Sequence, residues 1–339
     1  MIQVLAPAKI NLTFEMTGLM PDGYHQVKTL MQTISLADTL SFDIQPAREP
    51  SITITAESDN LGGTEDFPLG ADNLIAKAIR LYLSAASEYV RSPLKISVHT
   101  KKQIPIGAGM AGGSGNGAAA LLAMNNYFLD VANRGVLSQD ELIDIGKKLG
   151  ADVPFSLTGG TAVGTGRGDE LTAVETALAA APLHFLLAKP RHLHVSTPWA
   201  YKTYDELGYK FGLSERLHDR GIADDATKHV ADNLKDSSSY PEAYKAFGND
   251  FEQALFPHYK ELKELKTKFM ELGALACHMT GSGPTIYAVC DSAESAETLK
   301  QDYKEMVLKE RDMVCATKFD PVDLFVVHSI THGAKVIDG

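Results

Sequence analysis

The strongest chemical signal in this chain is the run from Pro105 to Gly117, where Gly107, Gly109, Gly112, Gly113, Gly115 and Gly117 precede an alanine-rich stretch. Glycines let main-chain amides come close to an anion, and a helix starting behind them turns its positive end toward that anion. A polyphosphate suits such a loop, and a flexible surface loop is the plain alternative. Gly107, Gly109 and Gly112 have the spacing of a dinucleotide fingerprint, but the context does not fit it. No second strand ending in an acid follows the helix, and Asp130 sits within or at the end of the helix itself. Glycine is never followed here by Lys-Ser or Lys-Thr, so this is not a Walker A loop. Another nucleotide fold is required.

Three further groups have suitable chemistry. Asp152, between Gly150 and Pro154, is either the N-cap of a short turn or a carboxylate that accepts a hydroxyl proton in phosphoryl transfer. The second role needs a cation nearby to keep it ionised. Lys9 is a candidate, unless it is simply a solvated strand-face lysine. Asp22-Gly23-Tyr24-His25 marks a turn whose tyrosine and histidine either stack on and hydrogen-bond a base or only anchor a hairpin tip. His192 and His194 have the spacing of a ligand pair on one strand face. Without a third ligand nearby they read as structural, and no residue is assigned to a metal.

The elements that must hold these groups follow from periodicity. Ile10, Leu12, Phe14 and Met16 fall on one face of a first strand and Lys9, Asn11, Thr13 and Glu15 on the other. Strands are expected at 39–44, 51–55 and 94–100, then at 160–164, 183–188, 286–290 and 322–330. Helices are expected over 73–86 with Asp72 as N-cap, over 118–131, and over 139–149 closing at Gly150. A further helix carries Leu262, Leu265, Phe269 and Leu272, and Asp291 with Glu294 suggests a capping box for another. The stretch 207–239 reads as a polar surface excursion with some helix. Strands first, then helices, then strands again point to an α+β fold.

Composition narrows the function. A net charge of −11 argues against general nucleic-acid binding, though not against a single nucleotide ligand. Cys277, Cys290 and Cys315 show no Cys-x-x-Cys spacing, so neither a disulfide framework nor a zinc site is indicated. With no leader pattern and no run of about 20 apolar residues, the expected compartment is the reducing cytosol, away from membranes.

The blocks Pro7 to Leu12 and Pro21 to His25 resemble the N-terminal signature of the 4-diphosphocytidyl-2-C-methyl-D-erythritol kinases, a family of the GHMP kinase superfamily. The glycine loop, Gly150 to Phe155, Gly159 to Ala162 and Gly281 to Thr285 are similar to the superfamily's other blocks, in order from residue 2 to about 330. The resemblance implies a two-domain GHMP kinase fold. Residues 1–174 would be ATP-binding and like domain 2 of ribosomal protein S5, and residues 175–339 a ferredoxin-like α/β sandwich.

It also implies ATP and Mg2+ as cofactors and transfer of the γ-phosphate to the 2-hydroxyl of a small molecule carrying a cytidine diphosphate group. Asp152 would be the general base and Lys9 its cationic partner, with Asn11 orienting the substrate. Tyr24, His25 and Tyr201, with Thr197 and Pro198 just before it, would hold the cytosine. Asn73 and Lys102 would lie near the adenosine. Pro105, Gly107, Ala108, Gly109, Met110, Ala111, Gly112, Gly113, Ser114, Gly115 and Asn116 would wrap the phosphates.

The chain would act as a monomer or weak homodimer. Gly115 departs from the family's usual serine and Met20 from its usual arginine, and the 207–239 excursion is longer than expected. Alternatives are another GHMP-type kinase, acting on mevalonate-like, sugar or amino-acid hydroxyls, or a non-catalytic nucleotide-binding paralogue.

Overall fold

In the computed structural model the described residues are 1–58, 67–132, 136–206, 208, 213, 217, 225–314 and 321–337. A long antiparallel hairpin of β1 (Ile2–Leu19) and β2 (His25–Pro46) dominates the first sheet. Its ladder shifts register between Pro7 and Lys9, Asn11 and Thr13, and Met16 and Gly18, and such bulges re-aim side chains.

The expected alternation in β1 is present, but both of its faces are covered. Ile10 and Leu12 belong to one core, Phe14 and Met16 to another. On the polar face, Thr13 Oγ1 lies 2.6 Å from Thr227 Oγ1, and Glu15 accepts from the Thr227 amide at 3.1 Å. These polar residues are paired within the protein and do not face solvent.

β3 (Ser51–Glu57) runs parallel to β4 (Leu94–Lys101), which continues the sheet beside β2. Between them, α1 (Leu74–Ala85) is capped by Asn73, whose side chain accepts from the Ile75 amide; Asp72, the expected cap, stands one residue too early. α2 (Gly112–Ala132) begins six residues before the expected start, so the last glycines of the loop are already helical. α3 (Gln139–Leu149) starts at a Ser138–Glu141 capping box and ends at Gly150, which is extended (φ 165°) and not left-handed. α4 (Val153–Thr158) and the hairpin of β5 (Thr161–Thr165) and β6 (Glu170–Ala173) complete this half. The helices cover the sheet through Phe42, Ile79, Tyr82, Leu121 and Met124.

The second half contains β7 (His184–Pro190), α5 (Thr197–Glu206), α6 (Ala226–Asn233), α7 (Tyr240–Tyr244), β8 (Gly248–Asn249) and α8 (Phe251–Leu255). α9 (Lys260–Glu271), β9 (Ala276–Met279), β10 (Ile286–Cys290), α10 (Ala293–Val314), β11 (Val322–His328) and β12 (Lys335–Ile337) follow. A four-stranded antiparallel sheet in the order β11-β7-β10-β9, backed by α9 and α10, makes an α/β sandwich. Both halves together are α+β, as the order of elements predicts. β8 and β12 leave this half to pair with β1 in the first sheet.

At α10 the cap is Ser292, exchanging amide-to-hydroxyl bonds with Ser295, and not the Asp291–Glu294 pair. Of the excursion, Leu213 and Leu217 are buried and α6 is helical, while most of 207–224 lies outside the described residues. Cys277 and Cys290 are free and buried, and burial pushes the Cys290 thiol up to about 11; Cys315 lies outside the described residues. No helix among the described residues is long and apolar enough to cross a membrane.

One ion cluster ties α8 to the second sheet. Glu252 accepts from Lys266 at 2.7 Å and from the Met279 amide at 2.8 Å, and its other contact is the His278 ring at 3.1 Å. Burial favours the neutral acid, but His278 and Lys266 outweigh it and hold the carboxyl down at about 2. A carboxyl depressed in the folded state stabilises fully above its unfolded value and loses that contribution as pH falls toward the folded one. Denaturation between pH 5 and pH 2 should therefore show about 3 kcal/mol lost through this group. Glu252→Gln should flatten that slope and lower stability at pH 7.

Candidate active site

Lys9 is only 6% exposed, which removes the reading of a solvated lysine. Its Nζ donates to Asn11 Oδ1 at 2.8 Å and lies 3.3 Å from Asp152 Oδ1. The register shift after Pro7 ends at Lys9, which pairs with Thr33, and its amide donates to Met110 O of the glycine loop at 3.1 Å. Asp152 occupies the N-cap position of α4 but makes no side-chain cap bond, so its carboxylate is turned to the lysine. Asn11 is fixed in turn, donating from Nδ2 to Thr29 Oγ1 at 2.7 Å and from its amide to Thr280 Oγ1 at 3.0 Å. The result is a polar chain from Thr29 through Asn11 and Lys9 to Asp152, with a carboxylate at its open end.

The glycine loop lies beside that chain. Gly107 and Gly109 have φ of 64° and 74°, the left-handed region open to glycine, and Ala111 is held there at 58° without that freedom. A Cβ on Gly109 would come within 2.6 Å of Thr280 O and 2.8 Å of Gly283 O, so the two glycine-rich turns meet backbone to backbone. Ala108 and Met110 point into the core as anchors. Gly115 packs on β1, with room for a Cβ 3.4 Å from Pro7 O, so packing does not force the loss of the usual serine.

Two cavities open on either side of the loop and share Gly109 and Ala111. The smaller, about 320 Å3, is lined by Phe67, Asn73, Lys102, Pro105 through Gly113, and Asn116. The larger, about 970 Å3, holds Lys9, Asn11, Asp152, Tyr24, His25, Thr197, Pro198 and Tyr201. Several groups on the smaller side are already engaged. Asn73 caps α1. Lys102 forms a buried ion pair with Asp38, which also accepts from the amides of Gln103 and Ile104. With its amide turned to donate, Asn116 reaches the same carboxylate at 3.0 Å.

At the far end of the larger cavity the rings are arranged differently from three independent base contacts. His25 stacks on Tyr201 at 4.6 Å between centroids and bonds Asp205 Oδ1 through Nε2 at 2.7 Å. Tyr24 is 57% exposed, with the Arg167 guanidinium 3.9 Å from its ring centroid. Tyr201 packs edge-on against Phe251; burial, followed by the nearby Asp152 charge, pushes its hydroxyl up to about 12. Among the described residues, Lys9, Lys147, Lys148, Arg167 and Lys202 line the cleft with Asp152, Asp169 and Asp205, and Asp144, Asp22 and Glu206 pair with Lys147, Arg167 and Lys202 at its edge.

Some of these residues escape sequence reasoning. Thr280 adjoins the Gly281 to Thr285 turn, whose position could have pointed to it. Ser282 Oγ lies 2.9 Å from Thr197 Oγ1 and joins that turn to α5. Arg167 sits between Gly166 and Gly168, a turn signal with a cation in it. His192 and His194 do not converge: His192 faces Glu261 at 3.6 Å, and the His194 ring packs on Gly107. Among the described residues no group of three His, Cys, Asp or Glu could hold a metal.

Residues 73–160 match the GHMP kinases N terminal domain and residues 232–307 the GHMP kinases C terminal domain. A 4-diphosphocytidyl-2-C-methyl-D-erythritol kinase of Nostoc punctiforme is 34% identical over 98% of this chain and 97% of its own length. The enzyme of that name from Pelotomaculum thermopropionicum is 36% identical over 89% and 94%. A crystal structure of 4-(cytidine 5'-diphospho)-2C-methyl-D-erythritol kinase superposes with a TM-score of 0.69 at 25% identity, covering 96% of this chain and 98% of that one. With its length, its fold and both halves matched, this chain belongs to the 4-diphosphocytidyl-2-C-methyl-D-erythritol kinase family of GHMP kinases.

Proposed function

We propose that this protein transfers the γ-phosphate of ATP to the 2-hydroxyl of 4-diphosphocytidyl-2-C-methyl-D-erythritol, a step of non-mevalonate isoprenoid synthesis. The observation that carries the reading is the 3.3 Å contact of Lys9 with Asp152 beside the loop that separates the two cavities. ATP occupies the smaller cavity, with its phosphates on the loop amides and the N-terminus of α2. The cytidyl substrate occupies the larger one, with its diphosphate toward the lining lysines Lys147, Lys148 and Lys202.

The substrate hydroxyl gives its proton to the Asp152 carboxylate as its oxygen bonds the γ-phosphorus. The bond from that phosphorus to the bridging oxygen breaks, and ADP leaves with the electron pair. Lys9 keeps Asp152 ionised beforehand and offsets the charge on the phosphoryl oxygens during transfer. Asn11 aims the lysine.

Magnesium fits as a guest of the nucleotide, since it keeps waters and phosphate oxygens and needs only one or two protein oxygens. Ser114, in the first turn of α2 and next to the lining Gly113, would supply one hydroxyl for it. When bound, the ion would neutralise charge between the β- and γ-phosphates. At the far end, Tyr24, His25 and Tyr201 meet the cytosine, with Thr197 and Pro198 shaping the wall beside it.

The test is a kinase assay with the cytidyl substrate against mevalonate, homoserine and sugar acceptors. Only the cytidyl substrate should turn over well, and cytidine diphosphate should compete with it and not with ATP. If cytidine diphosphate neither binds nor inhibits, the protein is a GHMP-type kinase for another hydroxyl.

A further inference from the structure

Two hairpin tips meet at the mouth of the larger cavity. The first, between β1 and β2, is closed by Gly23 donating to Met20 O at 2.9 Å and Met20 donating to Tyr24 O at 2.7 Å. The second, between β5 and β6, is closed by Gly168 donating to Thr165 O at 2.9 Å. One main-chain bond, from the Val27 amide to Gly166 O at 2.8 Å, joins them.

Behind the tips β2 pairs with β5, and among the described residues the polar side-chain contacts between the tips themselves come from Arg167. Its Nη2 donates to Asp22 Oδ2 at 2.5 Å, and its guanidinium lies 3.9 Å from the Tyr24 ring centroid. Asp22 uses its other oxygen to accept from the Tyr24 amide at 3.1 Å. Asp22, Tyr24 and Arg167 are thus a closed set in which each touches the other two. The hydrogen bond from Arg167, then that from the Tyr24 amide, hold the Asp22 carboxyl below the usual range, so the set stays charged at neutral pH.

We propose that Arg167 is a positioning residue for the cytidyl substrate, acting through Asp22 and Tyr24 to hold the first tip and leave one ring face of Tyr24 for the base. This rests on the reading that Tyr24 meets the cytosine. The residues from Met20 to Tyr24 contain no cation of their own, so the tip depends on one supplied across the gap. Gly23, Gly166 and Gly168 all have positive φ and carry no side chain, so they add no side-chain contact between the tips. Arg167 and Asp22 are each nearly half exposed, and an ion pair so exposed adds little to global stability. Its effect is local, on where the tyrosine sits. A planar guanidinium suits this better than an ammonium, because it stacks on the ring and donates to the carboxylate together.

Steady-state kinetics and hydrogen exchange on the full chain test this. Arg167→Ala should raise KM for the cytidyl substrate about tenfold, with kcat and the KM for ATP within about twofold. Its melting temperature should hold, while amide exchange at residues 22–24 rises. Asp22→Ala should act in the same direction, and the double variant should be no worse than the poorer single one. Arg167→Lys should restore less than half of the loss.

Effects of the two variants that multiply would overturn the proposal, since they mean Arg167 binds substrate directly. A fall in kcat at constant KM, or unchanged exchange at the tip, would overturn it too. Failure of the underlying reading would show in the unmodified protein, which would not bind cytidine diphosphate at all. Failure of the latch alone would show only in the variants.

Discussion

Asp152→Asn should lower turnover about a hundred- to ten-thousand-fold while ATP affinity stays within a few-fold, the range expected when a positioned proton acceptor is removed. The amide has nearly the shape of the carboxylate but cannot take a proton from a hydroxyl. The substitution is unusually clean because Asp152 occupies a cap position without making the cap bond. No helix-capping contribution is lost with the charge, and α4 keeps Pro154 in its first turn and Ser156 donating to Asp152 O. The melting temperature should therefore change little. Steady-state kinetics with the cytidyl substrate, together with nucleotide titration, separate the two effects. Parent-like turnover in this variant would remove Asp152 from the mechanism.

Lys9→Met should cost turnover about a hundred- to a thousand-fold, the scale seen when one preorganised donor to developing charge is removed. Methionine keeps the length of the buried stem, so the side-chain volume is held while the ammonium goes. The structural cost will be larger than for Asp152. Asn11 Oδ1 loses the donor it now accepts from at 2.8 Å and keeps only the long 3.4 Å bond from Thr280 Oγ1, and a buried acceptor left so weakly satisfied costs about 1 kcal/mol. The variant should melt lower yet still bind ATP, because the main-chain bond from residue 9 to Met110 O does not depend on the side chain. Combined with Asp152→Asn it should cost little more than the worse single change, as residues acting as a unit do. Multiplicative losses would mean that the two act in separate steps.

How far the site was legible depends on what kind of contact holds each residue. The glycine loop was readable because left-handed backbone and close approach leave a mark in residue type, at Gly107 and Gly109. Ala111 leaves no such mark, since nothing in an alanine announces φ of 58°. The alternation of β1 separated Lys9 and Asn11 from their apolar neighbours but could not show that the polar face is also buried. That depends on Thr227 and Thr280, more than 200 residues away.

Helix caps were off by one residue at Asn73 and at Ser292 because neighbouring polar residues compete for the same role. The pairing of β8 and β12 with β1 is set by long-range register, which local patterning does not carry. At the far end of the larger cavity, residue types suggested stacking, but not that His25 would lie on Tyr201 while Arg167 covers Tyr24. Those contacts join turns that are distant in sequence. Only the fold decides which cation reaches which ring.

The most direct measurement is a structure of the protein with a non-hydrolysable ATP analogue and the cytidyl substrate bound together. The substrate's 2-hydroxyl should lie about 2.6–3.2 Å from an Asp152 oxygen, in line with a γ-phosphate seated on the loop and within reach of Lys9 Nζ. A hydroxyl held away from Asp152, or a nucleotide bound elsewhere than on residues 105–116, would contradict the account.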